Sequence, residues 1–210
     1  MTNTHSRVRT TAASAVVALL ATTAAGALAA PASAAPDQSV AGSSTVAMSI
    51  PDKGASTPAS TAITIPAGKG QVKDVDISLN GLTHSCISDL VVTVVHNGVT
   101  ATIMNGAGDC SDDGTTVRNL TFDDEATQLL EDPPSGVSPS GTYKPTEYSY
   151  DTSSYVATSL AVFDGAASGG TWELSVVDQY NGDQGSLAGW SIDVDYNDPA
   201  APSGSVVIRS

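Results

Sequence analysis

Beyond the N-terminal stretch, the residues able to do chemistry are grouped carboxylates, two histidines and two cysteines. The carboxylates gather at Asp109, Asp112 and Asp113, at Asp123, Asp124 and Glu125, and at Asp178 with Asp183. Calcium takes several oxygens from carboxylates and carbonyls on loops, so each group is a candidate. Asp123, Asp124 and Glu125 rank first, because three adjacent carboxylates repel unless something compensates. Each group also has an ordinary reading: a solvated turn, helix capping and hairpin-loop chemistry, respectively. No His/Cys cluster has zinc spacing, and no EF-hand pattern is present.

A serine protease needs a nucleophile, a base within hydrogen-bond reach and a carboxylate to orient the base. His84 precedes Cys86 in a loop, and His96 borders a turn, where it is expected at the surface. No G-x-S-x-G elbow accompanies them. No catalytic residue is assigned, and the cysteines read as a bridge rather than a reactive thiol.

Elements must position these groups, and the clearest is a hairpin. Leu90–Val95 and Thr100–Met104 are β runs joined through Asn97-Gly98, the strongest short hairpin signal. With Asn97 and Gly98 at the turn, Val95 faces Thr100 and Val94 faces Ala101. Cys86 and Cys110 then lie within one position of facing each other at the open end, as a disulfide requires.

Period-two alternation continues along the chain. Val75, Ile77 and Leu79 alternate with Asp74, Asp76 and Ser78; Trp172, Leu174 and Val176 with Thr171, Glu173 and Ser175; Trp190, Ile192, Val194 and Tyr196 with Ser191, Asp193 and Asp195. Such strands turn one side to a core and the other to water, which predicts an all-β antiparallel sandwich or barrel with both tryptophans inside. Ala62–Ile65 and Ser159–Val162 are weaker strand candidates. Asp123–Leu130 reads as a short helical turn, and 131–159 as a long surface loop. Tyr143, Tyr148, Tyr150 and Tyr155 crowd that loop, as a binding surface or as pins holding it to the sandwich.

The N-terminus carries Arg7 and Arg9, an alanine-rich apolar run and Pro31-Ala32-Ser33-Ala34. That is a cleavable secretory signal over 1–34, cut after Ala34, so the protein is expected outside the cell with no membrane span left. An oxidising compartment permits the Cys86–Cys110 bridge. With 8 basic and 22 acidic residues the formal net charge is −14, which disfavours nucleic acid and anionic lipid as partners.

Six segments follow in a familiar order: Ile50-Pro51-Asp52-Lys53-Gly54, Ser88–Thr93, Thr121–Ala126, Gly141-Thr142-Tyr143-Lys144-Pro145, Gly170–Leu174 and Gly182–Ser191. The series resembles the P domain, or P/Homo B domain, of furin- and kexin-like proprotein convertases and bacterial secreted subtilisin-like proteases. The resemblance runs from about Ser49 to Tyr196. It implies a jelly-roll β-sandwich with no catalytic residue of its own, which packs against a subtilisin-like catalytic domain, stabilises it and tunes its pH and calcium behaviour. Departures are Ser88 where the family has Gly, the two cysteines, and an insertion at Tyr148–Val156. The expected layout is a flexible lead-in at 35–48, the module at 49–197 and a tail at 198–210, in which Val206–Ile208 could add an edge strand. The expected partner is a secreted subtilisin-like protease or another extracellular protein. The alternative is a carbohydrate- or cell-wall-binding module using the tyrosine loop.

Overall fold

A computed structural model describes residues 37–131, 136–149 and 154–197. The expected signal at 1–34, the 198–210 tail with Val206–Ile208, and Tyr150 lie outside them.

Alternation becomes strands throughout. In chain order these are β1 (Asp37–Ser44), β2 (Met48–Ile50), β3 (Gly54–Ile65), β4 (Gln71–His84), β5 (Leu90–His96), β6 (Val99–Asn105), β7 (Arg118–Phe122), β8 (Gly141–Tyr143), β9 (Thr146–Ser149), β10 (Ser154–Val156), β11 (Gly170–Asp178) and β12 (Gly185–Asn197). They form one curled path, β10-β9-β6-β5-β11-β3-β2-β12-β4-β7-β8, with β1 added beside β12. The all-β expectation holds, but the sheet is mixed: β6 pairs with β9, and β7 with β8, in parallel. Each parallel strand returns after a long excursion, as parallel pairing demands.

The curl closes over a core in which Trp172, Trp190, Phe122 and Phe163 are fully buried. Both indole N–H groups are satisfied, Trp172 by Ser168 O at 3.2 Å and Trp190 by Thr61 Oγ1 at 2.9 Å.

The β5–β6 hairpin turns at Asn97 (φ 50°) and Gly98 (φ 79°), the two positive φ values that its two-residue loop needs. Val95 faces Thr100 and Val94 faces Ala101. A bulge between Val92 and Thr93 then shifts the pairing by one residue, so Val91 faces Asn105. That single shift supplies the position by which the cysteines missed registry. Cys86 and Cys110 are bridged across 24 residues, a loop whose closure is worth about 3 kcal/mol in the chain-entropy account.

Four expectations are corrected. The lead-in forms β1, paired with β12 from Asp37↔Asn197 to Ser44↔Trp190. Its small residues permit this, because a Cβ at Gly42 would fall 2.4 Å from Ile63 Cγ2. Asp123–Leu130 is a turn and a bridge rather than a helix, because the Asp123 carboxylate caps its own turn through Glu125 N at 2.6 Å. Ser159–Val162 is the start of a 3-10 turn over Leu160–Phe163, capped by Ser159. The surface loop 131–159 contains β8, β9 and β10.

Candidate functional site

The three carboxylates ranked first for a metal do not converge as a set: Asp123 and Glu125 lie together near Asp74 and Asp76, while Asp124 is engaged elsewhere. Asp124 accepts from Ser159 Oγ at 2.5 Å, Leu160 N at 3.1 Å and Ala161 N at 2.9 Å, so it caps the 3-10 turn. Among the described residues, the grouping with three metal-type ligand atoms close together is Cys86, Asp89 and Cys110. Its two sulfurs are consumed by the disulfide.

A different set of carboxylates is assembled by strand pairing. β4 and β12 set Asp74 opposite Asp195 in series with Asp76 opposite Asp193, all outward-facing. Like charges directly opposite on neighbouring strands repel. Ser39 of β1 completes a shallow cleft of about 170 Å³ with these four. Burial, then Asp123, Asp74, Asp193 and Glu125, push the Asp76 carboxyl up to about 7. Asp74 is raised too: burial is the largest cause, the hydrogen bond from Val75 opposes it, and Asp123, Asp195 and Asp124 add to it. A carboxyl raised in the fold holds its proton there more tightly than in the unfolded chain. Its contribution to stability is therefore complete below the ordinary aspartate value of 3.8 and is lost as pH rises through about 7. Asp76→Asn should thus gain on the wild type as pH rises from about 4 to 8. Moving the carboxyl from 3.8 to about 7 is worth about 4 kcal/mol unscreened, and about 1–2 kcal/mol on a half-solvated face. Melts in a pH series check this, and a variant-to-wild-type difference that stays constant with pH sinks it.

His84 and His96 are both buried, and His96 corrects the expectation of exposure. Its ring stacks on Trp172 with centroids 3.8 Å apart and meets Phe163 edge-on. Nδ1 faces Thr171 O at 3.0 Å, and Nε2 faces Ala167 O at 2.7 Å with Asn97 Nδ2 2.9 Å away. His84 Nδ1 lies 2.8 Å from Cys86 O and Nε2 lies 3.2 Å from Asp178 Oδ2. Neither imidazole is free to act as a base on an external group.

Sequence reasoning missed Arg118. It is fully buried on β7 and bridges Asp109 at 3.3 Å and Asp112 at 2.9 Å, and its Nε donates to Ser138 O. Burial raises the Asp109 carboxyl, but hydrogen bonds from Ser138, the Arg118 guanidinium and Ser111 N–H together hold it below the usual carboxylate range. A lone arginine before a β run was the available signal. Its burial is decided by the 109–112 loop folding over it.

With this geometry in hand, the sequence profile of the proprotein convertase P-domain family matches residues 72–194, from β4 to β12. The chain belongs to that family. No curated protein matches it. Two crystal structures resemble the P domain: the Aeromonas sobria serine protease in complex with its chaperone (16% identity, 78% of this chain, 27% of that one, TM-score 0.44) and the same protease alone (15%, 77%, 27%, 0.43). The chain therefore spans about a quarter of the length of those proteases.

In this P domain, Asp183 and Asp52 serve local structure. Asp183 accepts from Ser85 Oγ at 2.6 Å, and Asp52 from Gly182 N at 2.6 Å. With Asp113 and Gly114 they line a cleft of about 600 Å³ at one end of the strands. Tyr143 is buried and donates to Pro139 O at 2.9 Å, pinning its loop. Tyr148 and the exposed Tyr155 meet edge to face at 6.2 Å, which presents no flat aromatic platform for a sugar ring. Among the described residues, no helix is long and apolar enough to cross a membrane.

Proposed function

We propose that the chain is a secreted, non-catalytic P domain that packs on a subtilisin-like serine protease and stabilises it. The observation carrying this reading is the family match over residues 72–194, which spans most of the core-forming strands. The engagement of both buried histidines supports a role without catalysis. Calcium at Asp123, Asp124 and Glu125 is no part of the reading, since hydrogen bonding already engages Asp123 and Asp124.

The test immobilises the full chain and passes over it the culture supernatant of its own source. Captured material is labelled with a fluorophosphonate, which marks active serine hydrolases by their nucleophile. The expected result is a labelled subtilisin-like protease that melts at a higher temperature when the chain is added back. Capture of no serine hydrolase, or a protease melt unaffected by the chain, overturns the reading.

A further inference from the structure

The outward faces of the two halves of the sheet differ in chemistry. One carries the Asp74/Asp195 and Asp76/Asp193 pairs. The other is centred on β3, β11, β5 and β6, where among the outward-facing described residues Glu173 alone is charged; Glu147 stands at its margin on β9 and accepts from Asn105 Nδ2 at 3.1 Å. In a chain of formal net charge −14, such a face is a local departure from the rest. Its residues are small or β-branched: Val177 faces Val91, Ser175 faces Thr93, and Glu173 faces Val95. Val177 is 36% exposed, too much for a residue packed in a core.

Burying the paired-aspartate face against a protein would strip water from several carboxylates at once, a cost that contacts rarely recover. The neutral face carries no such cost, and interface centres are depleted of charge in the same way. Glu173 stands inside the face, between Ala62 of β3 and Val95 of β5, and Ser60 Oγ donates to its Oε1. That one hydrogen bond leaves most of the carboxylate's accepting capacity directed outward. Enclosed by a partner, it requires a cation, and an arginine can meet a carboxylate in a bidentate pair.

We infer that the outward face of β3, β11, β5 and β6 is the docking surface for the protease, and that it receives an uncharged patch centred on one arginine or lysine that pairs with Glu173. The inference deepens the protease reading above and rests on it.

The probe is the fluorophosphonate-labelled protease captured by the wild-type chain, and the readout is its affinity for variants of the full chain. Glu173→Arg should weaken binding by at least about tenfold, as should Thr93→Lys, while Glu173→Gln weakens it less. Thr142→Lys, exposed on β8 in the other half of the sheet, should bind as the wild type does. Unchanged melting of each variant shows that lost affinity is not lost folding. Wild-type affinity in both Glu173→Arg and Thr93→Lys overturns the docking face and leaves the protease reading standing. Equal loss in Thr142→Lys also overturns it. Failure of the wild-type chain to capture any protease is a separate result, and removes the reading beneath.

Discussion

Arg118→Met should destabilise the domain by about 3–5 kcal/mol, the usual cost of removing one partner of a buried ion pair. The substitution keeps the unbranched stem and deletes the charge, leaving two carboxylates facing each other in the interior. Asp109 is fully buried, and Asp112 nearly so. The same change removes donors to Ser138 O and Thr116 O. For a domain of this size that loss should lower the melting temperature by about 10 °C or more. Acid should act on the same interaction. Asp109 is held below its ordinary value, so the stability it contributes is present above that value and is lost as pH falls through the folded one. Urea unfolding measures the loss. Adding Asp109→Asn to Arg118→Met should restore part of it, because one stranded charge then becomes a neutral amide. A single variant within about 1 kcal/mol of the wild type would show the triad to be energetically idle.

Asp178→Ala should cost about 2–4 kcal/mol, by leaving the buried His84 imidazole and the Tyr180 N–H without their partner. Asp178 holds the end of β11 to the end of β4 through His84 Nε2, and its other oxygen accepts from Tyr180 N at 2.9 Å. Both side chains are fully buried. Asp178→Asn keeps an acceptor for Tyr180 N and the shape of the carboxylate, so it should cost only about 1–2 kcal/mol. His84→Ala combined with Asp178→Ala should cost less than the two separately, because the second removes a partner already lost. Equal, small losses in the alanine and asparagine variants, with additive doubles, would sink the pairing.

The two networks explain why their residues were hard to read in sequence. His84 and Asp178 are 94 positions apart, and local pattern made the first a loop histidine and the second half of a loop carboxylate pair. Asp109 and Asp112 read as a solvated turn, yet Arg118 draws both inward. His96 read as a turn residue at the surface, and its neighbour Asn97 does turn the chain. The histidine itself lies on the inward phase of β5, with Val94 and Val92, and stacks on Trp172.

What the sequence determined by itself is the set of properties carried by near neighbours. Alternation with period two makes strands and decides which side of each is apolar, so Trp172, Trp190 and the Val75–Ile77–Leu79 series were legible as core. Asn97-Gly98 has the conformational freedom for a two-residue turn, so the hairpin and its near-registered cysteines were legible as well. The order of six short segments was enough for the family. Only the tertiary structure decided which strands lie side by side. That choice depends on closing the curl over one core, a sum of contacts between residues distant in the chain. It brings Asp74 to Asp195, Asp76 to Asp193, Asp178 to His84 and Asp109 to Arg118, and it separates a charged face from a neutral one. No local pattern of residues encodes those pairings, because each side of each pair is satisfied equally well by water until the fold brings the other to it.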